Sequence, residues 1–181
     1  MNFLKKILQL NRYQLGAQFF VPVLASGILY FLDLKLTAFI VFQFFIEIFV
    51  LWHFAIGLSL SDKKLEQKAR RFFVFNMLFA FTYRMSSNGY QIWYRMSFGI
   101  FPELEQMLWL TPIHLYATFG SVYCFYLNSK WITSMEARLN LNPFVSLWRT
   151  FWQILIFPVG LWYVQPRLNR IGFALSRENR S

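Results

Sequence analysis

Between Leu15 and Leu60 the chain carries only three charged side chains, Asp33, Lys35 and Glu47. Leu15 to Leu32 is 18 residues without a charge, and Leu36 to Leu60 adds a 25-residue apolar run. Apolar runs of about 18 residues or more are long enough to cross a hydrocarbon core as helices. One unbroken helix over 15–60 would be about 69 Å long at 1.5 Å per residue, more than twice a core of ~30 Å. The short polar break "LDLK" therefore predicts two helices in a tight antiparallel hairpin.

The composition extends that constraint to the whole chain. Hydrophobic residues make up 57% of the 181 and charged residues 14%, with 23 Phe, 9 Tyr and 7 Trp; soluble domains carry about 25% charged residues. A soluble unit of this size cannot bury so much apolar surface. The expected fold is an all-α membrane protein, a single integral membrane domain over 1–181. A net charge of +10 would suggest nucleic acid in a soluble protein. At helix ends the same residues orient spans and meet anionic lipid, so the bilayer and its anionic headgroups are the expected partners and nucleic acid is not.

In residues 1–14, Phe3, Leu4, Ile7 and Leu8 fall on one helical face and Lys5, Lys6 and Arg12 lie off it, which suits an interfacial helix. The start also has the layout of a signal peptide, ending in "VLASG". The apolar run continues past it to Leu32, as in an uncleaved anchor. Expected spans follow at 15–32, 36–60, 70–90 and 107–127. Between them, "SDKKLEQKARR" is the clearest aqueous loop, "SSNG" at 86–89 reads as a turn, and 128–142 as a polar stretch. The last apolar region, 143–164, is broken by Pro158 and Gly160 and followed by a basic tail, 165–181.

Charge counting decides how that last region is drawn. If the 61–71 loop is cytoplasmic, the N-terminus, this loop and 128–142 hold ten Lys and Arg, while Lys35, Arg84 and Arg95 lie outside. A full fifth crossing would put four tail arginines outside as well, seven against ten. If the region turns back, fourteen lie inside and three outside, in better accord with the positive-inside rule. Arg149 between Trp148 and Trp152 also belongs at an interface. The expectation is four spans plus a C-terminal re-entrant or in-plane helix, with five spans as the alternative and the N-terminus cytoplasmic.

From residue 50 to 171 the chain resembles a family of small bacterial polytopic inner-membrane proteins with no established activity. The resemblance rests on "GLSLSDKKL", on "TPIHLYATFGSVYCFYL" followed by "SKWITSME", and above all on the closing "FPVGLWYVQPRLNRI". The first 35 residues match nothing in particular, and Glu66 stands where the family pattern has a Pro soon after Leu65. The resemblance implies a bacterial inner-membrane topology and carries over no catalytic residue.

Glu47 is the sharpest candidate for chemistry. It lies near the middle of its span, where a carboxylate costs about 2.5–3.5 kcal/mol by comparison with Asp on insertion scales. Gln43 is one turn earlier on the same face, and His114 on the fourth span lies within reach of a neighbouring helix. These three form a candidate intramembrane polar site for a proton or cation; the plainer reading is a hydrogen bond that locks helix packing. His53 lies about 120° around the helix from Glu47. Arg84 is read as neutralising a buried acid or as snorkelling to the interface. Lys63, Lys64, Arg70, Arg71, Arg149, Arg167 and Arg170 are candidate contacts to lipid headgroups or a partner. Cys124 is a lone packing residue, and Gly27, Gly57, Gly120 and Gly160 are sites where helices could approach closely. Two His and one Cys without ligand spacing predict no metal site, and no phosphate loop, nucleophile elbow or HExxH motif appears.

The leading functional expectation is a non-enzymatic membrane subunit, assembling with copies of itself or with a larger membrane complex and needing no cofactor. A small oligomeric channel, transporter or pore-forming effector is the alternative. A membrane-bound lipid enzyme is a third.

Overall fold

The computed structural model describes residues 10–61, 67–141, 146–156 and 159–178, and all regular structure among them is helical. The proposed interfacial helix over 1–14 therefore lies mostly outside the described residues. Helix α1 (Arg12–Phe31) starts at a capping box: Asn11 Oδ1 accepts from the Gln14 amide at 2.8 Å, and the Asn11 amide donates to Gln14 Oε1 at 3.1 Å. These bonds satisfy two of the orphan groups at a helix start. Helix α2 (Lys35–Leu60) follows after three residues, with Asp33 in the left-handed region at φ 59°. Ser26 Oγ donates to the Ala38 carbonyl at 2.8 Å across the pair. The hairpin expected from "LDLK" is present.

Helix α3 (Gln67–Phe98) has 32 residues, about 48 Å at 1.5 Å per residue. The predicted turn at 86–89 is not there: Ser86 to Gly89 are helical. Propensity is a weak prior that tertiary contacts override; Asn88 is held by Gln43 of α2 at 3.0 Å. A short helix α4 (Leu104–Met107) and a 3₁₀ turn (Leu108–Leu110) lead into α5 (Thr111–Arg138), with Pro112 in its first turn. The polar stretch expected at 128–142 is thus helical through Arg138, and Asn128, Ser129 and Glu136 are buried in it. Helices α1, α2, α3 and α5 pack side by side around Phe19, Trp52, Ile56, Phe73, Cys124, Leu127 and Trp131.

The last two helices form a second hairpin. Helix α6 (Leu147–Leu155) is capped by Ser146, whose hydroxyl accepts from the Arg149 amide at 3.1 Å. Helix α7 (Val159–Glu178) runs back along it. The break falls where Pro158 and Gly160 predicted it, although Phe157 and Pro158 themselves lie outside the described residues. The segment expected to be a basic tail is helical to Glu178, and its Leu168 and Ile171 are fully buried. Leu168 and Ile171 continue the spacing of Leu161 and Val164, an apolar helical stripe.

Two of the helices, α1 and α2 near the N-terminus, are long and apolar enough to cross a membrane, with mean hydropathies of 1.4 and 2.1 over 18 residues. A signal sequence or the core helix of a soluble protein meets the same criteria of length and composition. The expected span 70–90 lies within α3, and 107–127 begins in α4 and the 3₁₀ turn and continues through most of α5; α3 and α5 are longer but less apolar than α1 and α2.

Three of the four glycines singled out as close-approach sites are such sites. A Cβ on Gly57 would collide with the Phe73 ring, one on Gly120 would lie 2.6 Å from Asn76 Oδ1, and one on Gly160 would strike the Gln153 carbonyl of α6. Gly27 has open space around it. Gly160→Ala should therefore open the α6–α7 hairpin and lower the thermal midpoint by several degrees. Gly27→Ala should hold or raise it, since Ala is favoured over Gly in a helix by about 1 kcal/mol. Tryptophan-fluorescence melting of both variants checks this contrast.

Candidate functional site: buried polar networks

Two polar networks lie inside this helical frame. The first joins α2 to α3. Arg84 Nε donates to Glu47 Oε1 at 3.3 Å, and Arg84 Nη2 lies 3.5 Å from Gln43 Oε1, which also accepts from Asn88 at 3.0 Å. Glu47 is only 7% exposed, so a charge there requires a partner. Arg84 supplies it, and the guanidinium remains partly open to the surface. The second carboxylate oxygen, Glu47 Oε2, is buried with no hydrogen-bond partner. His114 does not join this group: it is exposed, and its Nδ1 pairs with the Tyr83 hydroxyl at 3.2 Å. Of the three residues expected together, Glu47 and Gln43 share one network and Arg84 takes the place expected for His114.

The second network gathers α5, α6 and α7 around Arg167. Its Nε donates to Glu136 Oε1 at 2.8 Å and its Nη2 to Glu136 Oε2 at 2.6 Å, a bidentate pair. Nη2 also reaches Thr150 Oγ1 at 3.0 Å, and Nη1 reaches Gln153 Oε1 at 3.1 Å. The expectation that Arg167 meets lipid headgroups or a partner is overturned, because the residue is 5% exposed and every nitrogen of its guanidinium is hydrogen-bonded within the chain. Its charge gave no sign of the buried face it occupies. Arg167 stands three residues after Val164 and four before Ile171, on the buried stripe of α7.

The neighbours of Arg167 in the closing signature are also anchors. Gln165 is fully buried; its Oε1 accepts from Trp52 Nε1 of α2 at 3.0 Å, and its Nε2 donates to the Leu10 carbonyl at 2.8 Å and to Asn169 Oδ1 at 3.1 Å. Asn169 donates to the same carbonyl at 3.3 Å. Gln165, Arg167 and Asn169 thus tie α7 to the lead into α1 and to α2, α5 and α6. The sequence reading missed Glu136, Thr150, Gln153, Trp52, Gln165 and Asn169 as a group. The readable signal was two polar residues, Gln165 and Arg167, beside an apolar helical stripe.

His53 is fully buried, apart from Glu47, between the rings of Phe49 and Phe125 at 4.4 and 4.3 Å. Asn128 Nδ2 lies 3.2 Å from His53 Nδ1 and donates to the His53 carbonyl at 3.0 Å. Among the remaining candidates, Arg71, Arg149 and Arg170 are exposed and Arg70 is half-buried, while Lys63 and Lys64 lie outside the described residues. Among the described residues no three His, Cys, Asp or Glu side chains gather in a way that could hold a metal.

No family model matches the chain, and no curated protein or solved structure matches it.

The second network makes a direct prediction. Arg167→Ala leaves the Glu136 carboxylate buried and unpaired, a change that costs about 3–5 kcal/mol. Arg167→Met combined with Glu136→Leu removes both charges and should recover most of that loss. Thermal melting of the three proteins in one detergent reads the difference. A double variant as unstable as Arg167→Ala would count against this account of the pair.

Proposed function

We propose that the chain is a multi-pass protein of the bacterial inner membrane, with α1, α2, α3 and α5 as spans and α6–α7 as a re-entrant hairpin. The observation that carries this reading is the direction of the side chains. Large apolar residues face outward along the bundle, among them Val21, Leu24, Ile28 and Phe31 on α1, Phe44 on α2, Phe75 and Leu78 on α3, and Leu115, Phe119 and Tyr123 on α5. The ion pairs Glu47–Arg84 and Glu136–Arg167 face inward. Only 17% and 28% of the apolar windows of α1 and α2 are buried, which suits helices that meet lipid better than core helices of a soluble protein. A polytopic membrane protein needs this arrangement, because lipid is its solvent.

The turn-back is supported by where α7 ends up. Gln165 and Asn169 reach Leu10, and Arg167 reaches Glu136 near the end of α5. Those partners lie at the end of the bundle that also carries Arg12, Lys68, Arg71 and Arg138. The end read as cytoplasmic is therefore basic. Because Cys124 is fully buried, a cysteine placed at exposed Ser176 gives a clean topology probe. Ser176→Cys should react with an impermeant maleimide only after cells are opened, and Gly99→Cys should react in intact cells. Labelling of the Ser176→Cys variant in intact cells would support five spans instead.

Within that topology, the reading supported best is a non-enzymatic subunit of a homo-oligomeric or larger membrane assembly. The buried polar groups hold helices to one another, and the outward faces of the bundle are apolar and broad. Chemical cross-linking in native membranes, followed by size analysis in mild detergent, should recover a species larger than one chain. A stable monomer carrying lipid alone would argue against it.

One observation favours a second reading, a conduit for protons or cations: the unpartnered Glu47 Oε2 between Gln43 and Arg84. If this site conducts, Glu47→Gln should lower proton or cation flux into liposomes at least tenfold. Flux equal to that of a conducting wild type would remove Glu47 from the path.

A further inference from the structure

The C-terminal half of α7 also has an open face, whose two arginines take part in neither network. Arg170 and Arg177 are two turns apart and point the same way, with Phe173 and Ala174 between them. Together with Asn169 and with Leu141, which follows α5, they line a cleft of about 390 Å³, within the size range of small-molecule sites. Its floor is apolar and its rim carries two guanidinium groups. Arg177 lies over the Phe173 ring at 4.5 Å, which holds its charge at the rim. Arg170 and Arg177 are exposed, and neither has an ion-pair partner among the described residues. Arg167, about 60–80° around the same helix at 3.6 residues per turn, is buried and fully paired.

The geometry points to a binding site for the phosphate headgroup of an anionic phospholipid. A guanidinium offers paired donors to phosphate oxygens, and Leu141, Phe173 and Ala174 would take the glycerol and the upper acyl carbons. A zwitterionic choline headgroup would bring its own cation toward Arg170 and Arg177, so the site should discriminate by net charge. The depth fits as well: Trp148, Trp152 and Tyr163 on the same hairpin are exposed, as aromatic residues are at the headgroup level. This inference rests on the proposed placement of α7 at the basic membrane face. Maleimide labelling of the Ser176→Cys variant reads that placement, whereas a titration in detergent reads the cleft alone.

The test uses the full chain in a neutral detergent, titrated separately with short-chain phosphatidylglycerol, short-chain phosphatidylcholine and inorganic phosphate, with the thermal midpoint as readout. Phosphatidylglycerol should raise the midpoint saturably, phosphatidylcholine should not, and inorganic phosphate should act only at far higher concentration. Arg170→Gln with Arg177→Gln should weaken the apparent phosphatidylglycerol affinity roughly 30-fold, about 1 kcal/mol per arginine. Arg149→Gln, outside the cleft, should leave it within about twofold. If the double variant melts early without ligand, Arg177→Gln alone carries the test, with a loss of about fivefold expected. Unchanged affinity in these variants, or equal response to the two lipids, would overturn the site. Phosphate binding as tightly as phosphatidylglycerol would make it a free-anion site and overturn the lipid assignment.

Discussion

A carboxylate and a guanidinium that are almost fully removed from solvent hold the C-terminal hairpin in place. Burying either charge alone costs several kcal/mol. The Glu136–Arg167 pair meets that cost through two short parallel hydrogen bonds and two further acceptors, Thr150 and Gln153. The pair joins three helices at one point, with α5 supplying the acid, α6 the two neutral acceptors and α7 the base. Its geometry requires α6 and α7 to lie antiparallel at the Glu136 end of α5. Replacing a buried pair of this kind with apolar residues is often neutral or stabilising; what the pair joins here are the three helices at the point where the chain leaves the bundle.

The rest of the bundle is consistent with that constraint. Gln165 and Asn169 extend the contact to the start of α1, so the first and last described segments meet. Gly160 permits the tight return because no side chain stands between it and the Gln153 carbonyl. The other ion pair, Glu47–Arg84, plays a comparable part between α2 and α3, but its geometry is looser and one carboxylate oxygen has no partner. The two networks therefore differ in kind: the one at Arg167 is closed and structural, and the one at Glu47 retains an unmet hydrogen-bonding need. The subunit reading draws on the first and the conduit reading on the second.

Much of the frame was legible from local pattern. The charge-free run from Leu15, the "LDLK" break and the Pro158–Gly160 interruption each act within a few residues, and the structure has a helix, a turn and a return where they indicate. Features that depend on distant partners were not legible. Asn88 and Gly89 look like a turn until Gln43 of α2 is placed beside them. Arg167 looks like a surface charge until Glu136, 31 residues away in the chain, is brought against it. Glu136 itself sits in a stretch whose polarity suggested a loop, because polar residues that satisfy one another inside a bundle have the same composition as those that face water. The helical stripe through Leu161, Val164, Leu168 and Ile171 was the local sign that the basic tail was a packed helix.

The central claim is that α7 returns to the end of the bundle where α1 begins. The rings of Tyr13 and Trp162 lie 5.5 Å apart, so cysteines at these two positions test it directly. In a Cys124→Ala background with a protease site inserted between residues 62 and 66, a short bis-maleimide cross-linker with a reducible disulfide spacer should join the two positions in native membranes. The two fragments should then migrate together after proteolysis and separate on reduction. Fragments that separate without reduction, under conditions where the folded chain is intact, would place Trp162 away from the start of α1 and contradict the account.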